Sequence, residues 1–270
     1  MNCGRVYDPS PGIPTSQRLS RVGLGSSTVP RLYHSTALLL PDGSVMVSGS
    51  NPNPDVTIGK GVKYPTEYRV ELFYPWYFNY TRPNPSGLIN QLGYGGDYFD
   101  VQLNSSDLQI NDGGNGLLYS LNGTKAVLIR TGFSTHSMNM GQRYLQLQTS
   151  YTLNPDGSAI LHVSQLPAQP ALFPPGPAVL HITVNGVPSV GVLVMVGNGQ
   201  IGNQTVNAIT PLPNDDVVPT SSSSSYASSP THDGSEHKGA AALGMNVPSV
   251  MGLGVSIAMV LMGAFLGSMT

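Results

Sequence analysis

Apolar residues recur at every second position through much of this chain, a period that belongs to strands rather than helices. Leu145, Leu147, Thr149, Tyr151 and Leu153 fall on one side of a predicted strand, with Gln146, Gln148, Ser150 and Thr152 on the other. After Asn154-Pro155-Asp156-Gly157 the alternation resumes at Ala159, Leu161 and Val163, which predicts a half-buried hairpin. Ala178, Leu180, Ile182 and Val184 add a strand, Asn185-Gly186 turns the chain, and Val190 to Val196 returns as a mostly apolar run. Upstream, Tyr33 to Leu40 and Ser44 to Ser48 are strand-like runs around the turn Pro41-Asp42-Gly43. Glu67 to Leu72 supplies a third run before a proline-rich break at Thr81 to Pro85. Short antiparallel strands at this spacing over residues 84 to 200 predict an immunoglobulin-like sandwich.

Composition agrees with an all-β fold: 270 residues include 32 Gly and 23 Pro, with only 10% charged, as turn-rich β structure requires. A net charge of −2 and twelve scattered basic residues leave no electrostatic footprint for nucleic acid. Cys3 is the only cysteine, so no internal disulfide can form. Acceptor triplets for N-glycosylation begin at Asn79, Asn104, Asn122 and Asn203, and together they point to the secretory route and an extracellular, cell-surface or cell-wall location.

The C-terminal composition extends that reading. From Asp215 the chain turns to Ser and Thr, with Ser221 to Ser225 in one run, which cannot bury a core and predicts a disordered linker over 203–238. Small residues Gly239, Ala240, Ala241 and Ala242, a short spacer and an uncharged apolar segment from Val250 to Leu266 then follow the pattern of a glycosylphosphatidylinositol signal over 239–270. The lipid would join Gly239, Ala240 or Ala241 and tie the protein to a membrane; a transmembrane tail is the other reading, although no Lys or Arg follows the segment. Residues Met1 to Pro9 contain no apolar h-region, so the natural beginning is expected further upstream.

The histidines divide by position. His162 and His181 alternate with apolar neighbours, which predicts solvent-facing strand positions, and His232 and His237 fall in the linker. His136 lies in a polar stretch between Ala126 to Thr131 and the strand near Tyr144, where a loop can carry a functional side chain on a rigid scaffold. Tyr33 and His34 are neighbours, and in a regular strand neighbours point to opposite faces. They can share one metal only at a strand end or bend.

Four segments in order carry a resemblance. Arg31-Leu32-Tyr33-His34-Ser35-Thr36, Gly49-Ser50-Asn51-Pro52-Asn53-Pro54, Tyr64-Pro65-Thr66-Glu67-Tyr68-Arg69-Val70-Glu71 and Thr131-Gly132-Phe133-Ser134-Thr135-His136-Ser137-Met138-Asn139 resemble the C-terminal part of fungal glyoxal oxidases. These are copper radical oxidases related to galactose oxidase, and the resemblance runs from about Arg5 to Gln200. It implies that 1–82 is the C-terminal fragment of a kelch-type propeller, about its last blade, and that 83–202 is an early-set, immunoglobulin-like domain packed beneath it. It also implies a copper (Cu2+) site in which Tyr33 is the axial tyrosine and catalytic base, His34 one equatorial ligand and His136 the other. The activity implied is oxidation of a simple aldehyde of the glyoxal or methylglyoxal type to the acid, with O2 reduced to H2O2. The family's second one-electron carrier, a tyrosine joined by a thioether to cysteine, is expected upstream of residue 1, because the surroundings of Cys3 resemble the segment preceding the Tyr-His motif. This fragment is therefore expected to be inactive alone. The alternative is a non-catalytic cell-surface immunoglobulin-like module that binds wall polysaccharide or a partner.

Overall fold

A computed structural model describes residues 6–8, 12–21, 24–136, 138–219 and 259–260. Cys3, His232, His237, the serine run and the lipid-signal residues Gly239, Ala240 and Ala241 lie outside the described residues. The described fold is all-β, with two short α-helices, Ser105–Leu108 and Leu117–Asn122.

The first unit is a three-stranded antiparallel sheet in the order Ser35–Leu39, Val45–Gly49, Val70–Phe73. The turn between the first two strands forms where the sequence predicts it: Asp42 Oδ1 accepts from the backbone N–H and the hydroxyl of Ser44 at 2.8 and 2.7 Å. The strand expected over Glu67 to Leu72 is shifted to Val70–Phe73, and Glu67 donates its N–H to the Ser50 carbonyl at 2.8 Å outside the regular ladder.

The second unit is a sandwich. One sheet runs Arg143–Leu147, Lys125–Arg130, Gly176–Val184, Val192–Val196, Gln91–Leu92, with Val187–Pro188 paired to the long strand. The other runs Asp216–Val217, Thr149–Leu153, Ala159–Val163, Phe99–Leu103. Leu128, Leu147, Leu180 and Ile182 from the first sheet meet Val101, Leu103, Leu153, Leu161 and Val163 from the second in one apolar core. The single strand expected from Leu145 to Leu153 is in fact two strands, which join different sheets on either side of Gln148. Unbroken alternation cannot reveal such a crossing, since the period of two survives it. At Asn185-Gly186 both residues take positive φ, 48° and 82°, the geometry of the predicted hairpin turn.

Within the linker expected over 203–238, two short strands form among the described residues. Val206–Ile209 pairs in parallel with Tyr94–Gly96, and Asp216–Val217 pairs in parallel with Thr152 and Leu153. Ladder hydrogen bonds hold these strands although their residues stay exposed, and pairing of this kind leaves no alternating pattern in the sequence.

The two predicted solvent-facing histidines are buried. His162 is 8% exposed and its Nδ1 lies 2.7 Å from Asp100 Oδ1, while Nε2 lies 3.0 Å from Thr152 Oγ1, so cross-strand polar partners and the Tyr98 ring cover it. His181 is 3% exposed because the outer face of its strand is covered at this position too. The turn at Ser189 and Gly191 folds over it, Gly191 donates to the Pro41 carbonyl at 2.8 Å, and Arg82 donates to the carbonyls of Pro188, Ser189 and Asp42. This seam joins the two units.

Two outcomes follow. Asp107 is buried and accepts from the backbone N–H of Asn84 and of Asn104, each at 2.9 Å, so Asp107→Ala strands two donors. A loss of about 2–4 kcal/mol is expected in denaturant unfolding, from one or two hydrogen bonds to a charged group. For His181, burial lowers the pKa from its ordinary 6.5; it outweighs the Ser189 carbonyl, which raises it, and Arg82 lowers it further. The unfolded chain then binds a proton that the native chain refuses, so stability is full above about pH 6.5 and declines as pH falls below it. Thermal melts from about pH 7.5 to 5 should show a fall in Tm that His181→Gln makes shallower.

Candidate metal centre

Tyr33 and His34 occupy a turn immediately before the strand Ser35–Leu39, which resolves the opposite-faces problem that a regular strand would pose. His34 has φ 63°, a left-handed backbone that is uncommon for a residue with a side chain. The neighbouring strand end enforces it. Asn51 donates its N–H to the Tyr33 carbonyl at 2.6 Å, and the Asn51 carbonyl lies 3.1 Å from His34 Nδ1. Ser50 Oγ accepts from the Leu32 N–H at 2.9 Å. A Cβ on Gly49 would lie 2.7 Å from the His34 carbonyl oxygen, so only glycine fits beside the turn.

A layer of polar contacts fixes this strand end. The Asn51 side-chain carbonyl accepts from the Asn53 N–H, the Asn53 amide and Thr66 Oγ1, and the Asn53 amide reaches the Tyr64 carbonyl at 3.1 Å. Arg31 donates to the carbonyls of Gly49 and Arg69 at 2.8 and 2.9 Å and forms a two-nitrogen pair with Glu71 Oε2 at 3.2 and 2.7 Å. The hydrogen bond from Ser27 Oγ, and then the Arg31 guanidinium, hold the Glu71 carboxyl below the usual carboxylate range. Asn51, Ser50 and Glu71 are positioning residues that reading single side chains for ligand chemistry does not find. Their signal is the clustering of polar residues around Gly49 and Tyr64 in the motif segments.

His136 arrives from the other unit. It follows Phe133–Thr135 at the tip of a two-stranded ribbon whose return strand is Met138–Met140, and it too is left-handed, with φ 53°. The ribbon pivots at Gly132, where a Cβ would lie 2.2 Å from the Met140 carbonyl oxygen. Ser134 Oγ donates to the Ser35 carbonyl at 3.2 Å, which fastens the ribbon beside His34 across 99 positions of sequence.

The three sequence-predicted metal residues therefore meet. The Tyr33 ring lies 4.0 Å from the His34 ring and 6.2 Å from the His136 ring, centroid to centroid, and Tyr33 is 40% exposed, so the cluster is open on one side. A carbonyl only accepts, so the hydrogen bond to Asn51 puts the proton of a neutral His34 on Nδ1 and leaves the Nε2 lone pair free. Thr135 Oγ1 lies 2.8 Å from His136 Nδ1 and can accept its proton in the same way. Among the described residues no group of three or more His, Cys, Asp or Glu is gathered, and the third donor of this cluster is a phenol. Two imidazole nitrogens and a phenolic oxygen fit a divalent ion of the Cu(II) type. The four glycosylation asparagines, Asn79, Asn104, Asn122 and Asn203, are all exposed and lie away from the ring cluster in sequence.

Comparison with known proteins follows the same division. Residues 5–77 match the family model described as glyoxal oxidase N-terminus, and residues 82–196 match the galactose oxidase-like early set domain. Aldehyde oxidase GLOX1 of Arabidopsis thaliana is 34% identical over 69% of this chain and 29% of its own length. Aldehyde oxidase GLOX of Vitis pseudoreticulata is 34% identical over 62% of this chain and 30% of its own length. A WSC domain-containing protein of Arthroderma benhamiae is 31% identical over 78% of this chain and 20% of its own. The chain thus spans less than a third of these relatives. A solved fungal alcohol oxidase of the AA5 family, in complex with copper, overlaps 72% of this chain and 35% of its own at 21% identity and a TM-score of 0.48. With a glyoxal oxidase segment and a galactose oxidase-like early-set domain in succession, the chain belongs to the glyoxal oxidase family of galactose oxidase-like proteins.

Proposed function

We propose that this chain supplies the Tyr33, His34 and His136 side of a copper radical oxidase that converts simple aldehydes to carboxylic acids and O2 to H2O2 outside the cell. The observation that carries the reading is the meeting of three donors from segments a hundred residues apart, with the Nε2 of His34 freed by its Nδ1 contact. A Cu(II) ion held there would supply a one-electron acceptor for such an oxidation. The other carrier, a thioether-linked tyrosine and cysteine, is assigned to the part of the relatives' length that this chain does not span.

The chain's own residues have separable tasks. His34 and His136 would hold the metal, each with Nδ1 engaged by a neighbouring oxygen and Nε2 left for a ligand bond. Asn51 keeps the His34 tautomer. Tyr33 Oη, on the open side, takes the substrate proton as general base. The three-stranded sheet ends at Val70–Phe73 with Val70 and Leu72 exposed, which suits one blade of a propeller whose neighbours would cover it. The exposed acceptor asparagines support an extracellular location, and a lipid anchor near Gly239, Ala240 or Ala241 would hold the protein at the surface.

Titration of the purified chain with Cu(II), followed by electron paramagnetic resonance, should show coupling to two nitrogens. His34→Ala and His136→Ala should each remove one. A spectrum indifferent to both substitutions would remove the copper assignment and leave the non-catalytic cell-surface module. Catalysis is tested in a chimera in which residues 5–196 replace the corresponding region of a complete relative. There Tyr33→Phe should retain copper while peroxide release falls by about 10²-fold or more, the scale of a lost general base.

A further inference from the structure

The short turn before the seam carries chemistry that the metal centre does not use. Trp76–Asn79 is a single 3-10 turn, and in that geometry side chains three apart eclipse, with about 6 Å between them along the axis. Trp76 and Asn79 therefore stand on the same face. The two residues between them point inward: Tyr77 Oη donates to the Gly43 carbonyl at 2.6 Å, and the Arg82 guanidinium lies 5.4 Å from the centroids of both Tyr77 and Phe78. Tyr80, next after Asn79 in the chain, sets its ring 5.6 Å from the indole at 87°, so the two rings make a right-angled corner. Trp76 is 52% and Tyr80 44% exposed, although rings of this size normally find cover.

We propose that this corner is the seat of the chain's own N-linked glycan: Asn79, in Asn79-Tyr80-Thr81, is glycosylated and the apolar face of its first sugar packs on Trp76 and Tyr80. The proposal rests on the extracellular reading above. In the transfer, Asn79 Nδ2 forms a bond to C1 of an oligosaccharide carried on a lipid diphosphate. The C1–O bond breaks, the lipid diphosphate leaves with its electron pair, and Nδ2 loses one proton; nothing is oxidised. The tethered sugar meets the indole without the entropy cost of capturing a free ligand, because the eclipsed turn holds attachment point and ring together. Cover over this corner also screens an apolar patch next to the Arg82 seam between the two units.

Trp76 is the only tryptophan, so its fluorescence reports this corner alone. The full chain is secreted from a eukaryotic host behind a cleavable leader, its glycopeptides are mapped by mass spectrometry, and emission is recorded before and after enzymatic removal of N-glycans. Occupancy of Asn79 is expected, with a red shift and a rise in acrylamide quenching on glycan removal, as for an indole passing from cover to water. Asn79→Gln should show the uncovered emission from the start and no response to the enzyme. An empty Asn79 beside occupied Asn104, Asn122 or Asn203 would overturn the seat while leaving the extracellular reading in place. Four empty acceptors would sink both. An occupied Asn79 whose removal leaves the indole unchanged would overturn the packing.

Discussion

The arrangement depends on the backbone clasp between Leu32–His34 and Gly49–Asn51. Three hydrogen bonds, from Asn51 N to the Tyr33 carbonyl, from Leu32 N to Ser50 Oγ and from His34 Nδ1 to the Asn51 carbonyl, oblige His34 to take a left-handed conformation. Such a conformation is unfavourable for a residue with a Cβ and persists only where the surroundings over-determine it. Here they do, because Gly49 leaves room for the His34 carbonyl and Arg31 ties the strand end to Glu71. The clasp converts two adjacent residues that a strand would send apart into a pair with rings 4.0 Å from each other.

The same logic recurs across the seam. His136 needs a left-handed tip and a glycine pivot, and its ribbon is fastened to the first unit through Ser134 and the Ser35 carbonyl. Rigid strands behind each half fix the rings, while one face of the cluster stays open. The long strand Gly176–Val184 is covered on both faces, on one by the sandwich core and on the other, at His181, by the Ser189 to Gly191 turn, whose contacts with Pro41 and Arg82 join the two units. Arg82 works at that junction, since its guanidinium both accepts ring faces and reaches three carbonyls from two units.

Polar residues inside the sandwich show what alternation misreads. His162 sits opposite the apolar core yet is covered, because Asp100 and Thr152 on flanking strands satisfy both ring nitrogens and Tyr98 closes over them. His181 is covered without full satisfaction, its Nε2 having no partner, and burial lowers its pKa and so favours the neutral form. Both would serve badly as inert surface controls for the metal ligands.

The sequence by itself determined the strand content, the hairpin turns at Pro41-Asp42-Gly43 and Asn185-Gly186 and the residue types of the candidate centre. These are local properties: period, glycine and proline placement, and side-chain chemistry survive whatever the fold does around them. Only the tertiary structure decided that Tyr33 and His34 lie in a turn, that His136 reaches them, that Leu145 to Leu153 crosses between sheets, and that residues 206 to 217 still belong to the sandwich. Each of these depends on a contact between segments far apart in the chain, and a pattern read along the chain carries no term for which distant carbonyl a backbone N–H will find.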